Sequence, residues 1–493
     1  MKNIYRTLAF GLICTMMVSC KKDFLAIVPQ GQKIAEDTED YSKLMNDPGI
    51  AQYSFAGGWQ GQAIMGDDMS AELNKFNSAE LVTQSAFKWE SQIFRTQDRD
   101  WSTSLWLSNL YQLNKVINEV MESKGGSDQQ KREILAEAQA NRAWIYFQLI
   151  NFYGKPYQAG SASTDPGFPI IITADINVDK FTRATVQEVY DFIIKEFTAA
   201  IPYLPINSSS GIRFNKSAAE GLLGKVYLFM GNKNAEALSM FNAAFTDNAA
   251  RSQPARLYNY NVEFSAGGKF LPINYDGPSN SPGANNNDFT ESLVSKSFYN
   301  ADYSGNGYGN DPFVLSKGAS DLFTPSDLRL KFYAPEFPYG EPNPSGRLRK
   351  YAYKYVQFGL QISELYLLRA EVKAKLGNLA GAVEDLVTLR ENRMPNGVNP
   401  PVSITSDKNE LIKFIFEERV REFAMEGYRW FDMRRESIDP IFNGKSYTHI
   451  LYNYNAENNT DAVAATYVLK KERLTLKLPL FITNTNPNLE NNP

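Results

Sequence analysis

Two adjacent carboxylates, Asp67 and Asp68, follow Gly66, with Glu72 a few residues on. Paired carboxylates are the machinery of glycoside hydrolysis, in which one protonates the leaving group and the other activates water or attacks, across a gap of roughly 5 to 9.5 Å. Spacing along the chain does not set that gap. Acids in a glycine-rich stretch more often cap a helix or bind a hydroxyl, and no hydrolase motif accompanies these. A second dense cluster occupies residues 416–435, with Glu418, Arg419, Glu422, Glu426, Arg429, Asp432 and Arg434. At helical spacing Glu418, Glu422, Glu426 and Arg429 lie near one another, where opposite charges support a helix by about 0.2–0.5 kcal/mol per pair. Phe416, Val420 and Phe423 form an apolar stripe on another face. This run reads as structural, because partly buried ion pairs more often fix helix packing than do chemistry.

Metal chemistry has little to draw on. The chain holds one His, His449, and two Cys, Cys14 and Cys20, so the usual zinc ligands are missing. No cofactor is called for, although a structural calcium ion held by the oxygens of Asp and Asn loops stays open. There is no phosphate-cradling glycine loop and no nucleophile elbow. With a net charge of -4 the chain lacks the concentrated Lys and Arg of nucleic-acid binders.

Aromatic residues carry more information, since 27 Tyr and 31 Phe are many for 493 residues. Sugar recognition needs flat rings against pyranose faces and polar groups for hydroxyls. Trp59, Tyr275, Tyr303 and Tyr308 stand in Gly- and Asn-rich stretches from which rings reach the surface. With Asp67 and Asp68 they are the candidate ligand-binding residues. Each ring competes with packing beneath its own loop. Trp89, Trp101, Trp106, Trp144 and Trp430 lie in helical patterns or in the charged run and read as core.

The elements that must position these residues are mostly helices. Apolar periodicity runs through Trp101–Met121 and Gln129–Tyr153, separated by Gly125-Gly126-Ser127, which predicts a helical hairpin. Ala219–Phe245, broken at Gly231-Asn232, and Ser363–Arg393, broken at Gly377-Asn378, look alike: helix, Gly-Asn turn, helix, with small residues for close approach. They resemble tetratricopeptide-type repeats held apart by insertions. The largest insertion, about 253–348, is rich in Gly, Asn, Pro and Ser and has no helical or strand period; a loop so long is usually functional or disordered, and its aromatics argue against disorder. Strand signals are few, with Tyr467–Leu469 and Leu474–Leu476 predicted as a short hairpin.

The N-terminus reads as an address. Lys2 and Arg6 precede an apolar run from Leu8 to Val18 that is too short to span a bilayer, so residues 1–19 are expected to be a signal peptide. Met17-Val18-Ser19-Cys20 resembles the box at which bacterial lipoproteins are acylated on Cys and cut just before it, with Met17 where Leu is usual. Cys20 is the expected lipidation site, leaving a mature chain without thiols. Residues 20–40 follow as a tether, and 41–493 as a single helical domain.

One family unites these features. Residues 416–435, Phe416-Glu417-Glu418-Arg419-Val420-Arg421-Glu422-Phe423 through Gly427-Tyr428-Arg429-Trp430-Phe431-Asp432 to Arg435, are very similar to the C-terminal signature of the SusD/RagB family of Bacteroidetes outer-membrane lipoproteins. Ser363–Glu371, Asn141–Phe147 with Tyr153-Gly154, and Leu478-Pro479 with Asn486–Leu489 fit the same family. Lys373, in place of an apolar residue, and the tail Asn491-Asn492-Pro493 depart from it. The resemblance implies a mainly α fold with little β, in which four tetratricopeptide-like helix pairs lie beneath long irregular loops. It also implies a non-enzymatic, cell-surface lipoprotein that captures an oligosaccharide, or in some members a peptide, and delivers it to a SusC-like TonB-dependent barrel. The rival readings are a repeat scaffold for outer-membrane assembly, for which the aromatic insertion has no use, and a hydrolase working through Asp67 or Asp68.

Overall fold

The computed structural model describes residues 35–53, 62–96, 98, 101–175, 180–274, 277–299, 312–336, 340–343, 346–351, 355–455, 457–458 and 460–493. Among the described residues, nine longer helices form the scaffold. Trp101–Glu119 (α1) and Asp128–Tyr153 (α2) are the expected first hairpin. Ser127 accepts the Gln130 N–H while Gln130 reaches back to the Ser127 N–H. Such a box satisfies amides that the first helical turn leaves unpaired, and losing its Ser costs about 1 kcal/mol. Gly126 sits at φ 66, and a Cβ there would meet Thr38 at 2.6 Å. Thr38 opens the helix Thr38–Leu44 and its hydroxyl lies 2.7 Å from that of Ser123. The last residues of the expected tether are therefore part of the fold.

Val186–Ala200 (α3), Lys216–Met230 (α4) and Asn234–Ala249 (α5) continue the stack. Gly231, at φ 76, ends α4 in a left-handed turn that Gly adopts without steric cost. Within α4, Gly224 lies where a Cβ would stand 2.7 Å from the Phe241 ring of α5. The missing side chain thus sets how closely the two helices approach. Ile362–Lys375 (α6) and Leu379–Glu391 (α7) repeat the pattern, with Gly377 at φ 86 and Asn378 capping α7. The insertion leaves after α5 and the chain returns to pack α6 against α5, so the distant repeat copies are neighbours in space. Lys408–Phe423 (α8) packs on α6, and Tyr428–Glu436 (α9) follows. Trp89, Trp106, Trp144 and Trp430 are buried in one continuous core; the side chain of Trp101 lies outside the description.

The charged signature is broken between α8 and α9. Ala424 leaves helical geometry, Met425 takes φ 64 and Gly427 takes φ 89. Glu426 and Arg429 therefore do not continue the face of Glu418 and Glu422, as unbroken helical spacing predicts. The pairing is mainly tertiary. Glu418 accepts from Arg329 at 2.7 Å, from Arg421 at 2.9 Å and from Arg390. Asp432 holds Arg419 at 2.7 Å and Arg435 at 2.8 Å, and Arg435 reaches Glu371 on α6.

Strand content is small. Met69–Glu72 (β1), Phe313–Leu315 (β2), Thr448–Asn455 (β3) and Thr460–Val468 (β4) form a mixed sheet in the order β4-β3-β1-β2. Tyr467 is thus in a hairpin, but its partner strand precedes it: His449 pairs with Tyr467. Lys471–Leu474 is a short 3-10 turn and not the second strand. The alternation of Leu451, Tyr452, Asn453 and Tyr454 carried the strand signal, since half-buried strands alternate. Among the described residues no helix is long and apolar enough to cross a membrane.

Candidate functional site

Parallel pairing of β1 with β3 sets the turn 66–68 at the mouth of a cleft of about 570 Å³. Its walls are the turn, the outer face of α8 at Phe416 and Val420, the stretch from Ser316 to Leu322, and residues 441–445. Gly66 permits this geometry, because a Cβ there would stand 2.4 Å from Asp68 Oδ1 and 3.0 Å from Arg429 Cβ.

The two acids of the turn meet different partners. Asp67 receives Arg429 Nε at 2.5 Å. Burial opposes its charge, but Arg429, with Lys445 behind it, holds the carboxyl below its ordinary range. Arg429 also grips Glu436 at 2.7 Å, and Glu436 accepts from the Tyr447 hydroxyl at 2.9 Å. Asp68 accepts the Met425 N–H at 2.8 Å, and its own carbonyl accepts Ser316 N–H at 2.9 Å. It is 2% exposed, and burial, helped by the Asp67 charge, raises its carboxyl to about 7. Met425 is the left-handed residue of the helix break, so Asp68 holds that break in place. Glu72 turns elsewhere and pairs with Arg347 at 2.8 Å. The three acids are thus taken up by three separate partners, Arg429, the Met425 N–H and Arg347.

The turn is gripped from behind by residues that sequence reading left in the core or passed over. Trp89 donates its indole N–H to the Met65 carbonyl at 3.0 Å. His449 places Nε2 2.6 Å from the Gly66 carbonyl and Nδ1 2.7 Å from that of Phe87. Its rarity was the available signal. Of the remaining expected site residues, Cys20, Trp59, Tyr275, Tyr303 and Tyr308 lie outside the described residues, as do residues 1–34. Among the described residues no three His, Cys, Asp or Glu side chains converge in a way that would hold a metal.

Residues 49–228 match a family model described as starch-binding associating with outer membrane, and residues 350–493 match the SusD family model. Together these span about two thirds of the chain. The chain belongs to the SusD/RagB family. SusD-superfamily structures align with it end to end. A protein from Bacteroides vulgatus described as a putative sugar binding protein matches at TM-score 0.70 and 20% identity, over 94% of this chain and 99% of that one. A SusD superfamily protein from Bacteroides thetaiotaomicron matches at 0.68 and 19%, over 93% and 100%. At these identities the likeness is one of fold. The SusD-like protein P38 of Formosa agariphila is 36% identical over 99 residues, which are 18% of this chain and 20% of that protein. The chain thus spans about a fifth of the length of the curated relative it matches.

Proposed function

We propose that this SusD-family protein captures an oligosaccharide at the outer surface of the outer membrane and delivers it to a SusC-like TonB-dependent barrel, without catalysing a reaction. The observation that carries the reading is the end-to-end SusD fold, shared with a protein described as sugar binding, on a chain whose N-terminal half matches a starch-binding, outer-membrane family model. Residues 1–19 serve as the signal and Cys20 carries the lipid, from which a short tether reaches the fold at Thr38. Two or more acyl chains are needed for a stable anchor, each buried CH₂ contributing about 0.8 kcal/mol.

Trp59, Tyr275, Tyr303 and Tyr308 supply stacking rings in this reading. Tyr303 and Tyr308 lie in the stretch that leads into β2, which pairs with β1 next to the Asp67-Asp68 turn. The turn's acids are largely committed within the protein, so they shape the neighbouring surface more than they contact sugar.

Calorimetry of the mature chain without Cys20, against soluble glycans and peptides, tests the proposal. Saturable binding of a glycan, weakened at least tenfold by Trp59→Ala or Tyr303→Ala, is the expected result. Binding of peptides alone would replace oligosaccharide by peptide as the cargo. Silence on both panels, with a barrel protein co-purifying from membranes, would leave a structural partner of the barrel.

A further inference from the structure

His449 is 0% exposed and stacked between two rings, Phe87 at 4.3 Å and 8° and Trp89 at 3.8 Å and 13°. Both ring nitrogens face backbone carbonyls, at 2.7 Å for Phe87 and 2.6 Å for Gly66. A carbonyl only accepts hydrogen bonds, and a neutral imidazole has one N–H to donate. The neutral ring therefore satisfies one carbonyl and turns a lone pair toward the other at hydrogen-bond distance. The doubly protonated ring satisfies both. Burial favours the neutral form and is the largest influence, lowering the ring below its ordinary range, while the two carbonyls and the Asp67 carboxylate act against it in favour of the charged form. The two aromatic faces favour it as well.

We propose that His449 is a proton-operated clasp on the turn 65–68: protonated, it ties Gly66 on β1's leading turn to Phe87, and on losing its proton it releases one of the two. Trp89 is the other half of the clasp, since it holds Met65 while its ring covers the imidazole. The residues it would move, Asp67 and Asp68, border the cleft and brace α9 and the α8–α9 break. The charged and titratable groups around it are Asp67 and Asp68 of the turn, Arg429 of α9, Lys445 of the cleft rim, Tyr467 across the ladder, and Glu90 beside Tyr467. This inference does not depend on what the cleft binds.

The chain's single His makes the test direct, because every imidazole signal in 15N-histidine-labelled mature protein belongs to His449. The pH is raised from 5 to 8.5 while the ring nitrogens and the Trp89 indole N–H, one of six in the chain, are followed. The expected result is two protonated nitrogens at the acid end, loss of one proton as pH rises, and a shift of the Trp89 indole with the same midpoint. Asp68 titrates in this range too, so the experiment is repeated in Asp68→Asn, where the shared midpoint persists. A ring that keeps one state throughout, an indole that stays still while the ring titrates, or a shared midpoint that vanishes in Asp68→Asn would each overturn the clasp.

Discussion

Asp68 brings a carboxylate into a buried position and receives one backbone N–H there, from Met425, whereas its neighbour Asp67 receives a guanidinium. That difference separates their titrations. The Asp68 carboxyl, raised to about 7 by burial and by Asp67, holds its proton in the fold at pH values where an unfolded Asp, near about 3.9, has lost it. The group's contribution to stability is therefore full below about pH 4 and is lost as pH rises through 7. Asp68→Asn keeps an acceptor for Met425 and removes the charge. Its free energy of unfolding from urea titration is expected to exceed that of the parent at pH 8, by about 1–3 kcal/mol, and to match it at pH 4. An equal effect at both pH values would show that Asp68 is not the titrating group. Sequence reading found this residue through its acidic neighbour and the adjacent Gly. It could not find the Met425 N–H, which lies 357 residues away and becomes available only because α8 breaks there.

At the scale of elements, the helices were legible because each hairpin carries a 3.6-residue apolar period and a Gly or Ser punctuating its turn. The break inside residues 416–435 was not. Periodicity continues across it, and nothing local marks Met425 as left-handed. The charges were legible as structural, but their partners were not, since Arg329, Arg390 and Glu371 come from elements that only the fold brings together. Glu418 is the centre of this network. Burial opposes its charge, yet Arg329, Arg421 and Arg390 hold it at about 2. Its contribution is thus present above about pH 4.3, the unfolded value, and lost as pH falls through about 2. Glu418→Gln keeps the shape and leaves the buried guanidinium groups short of one counter-charge. Breaking a buried pair in this way costs about 3–5 kcal/mol, and denaturant unfolding near pH 7 should show a loss of that size. Arg329 also pairs with Asp327 at 2.7 Å and with Glu422 at 3.1 Å, and a loss under about 1 kcal/mol would mean that these two carry it without Glu418.

Across the whole molecule, the question is what joins the loop-rich insertion to the helical stack. Lys296 does so from within the insertion. Its ammonium donates to the Ile50 carbonyl at 2.9 Å and to Asn141 of α2 at 2.6 Å, and it lies over the Trp144 and Phe214 rings. It is fully buried, and desolvation, partly countered by Glu137, lowers it to about 7. A Lys in a stretch without helical or strand period reads from sequence as a solvated loop residue, because Lys is among the residue types least often buried. Pairing on both sides of residues 297–299, with Gln52–Tyr53 and with Tyr355–Gln357, places it inside. The sign of its linkage is the same as that of Glu418 and opposite to that of Asp68, because folding lowers its pKa. The unfolded Lys, near about 10.4, binds a proton over a range in which the folded one has lost it, so the fold gains stability as pH rises from 7 toward 10. Lys296→Met fills the space and removes that dependence, while leaving two acceptors without their donor, at about 1–3 kcal/mol for a lost partner. The variant is therefore expected to fare better relative to the parent at pH 6.5 than at pH 9.5, by about 2–3 kcal/mol in urea unfolding. A difference that does not change with pH would place the proton elsewhere. A variant in which residues 277–299 become accessible to protease at every pH, with α2 still folded, would show that Lys296 holds the insertion by its hydrogen bonds and not through its charge.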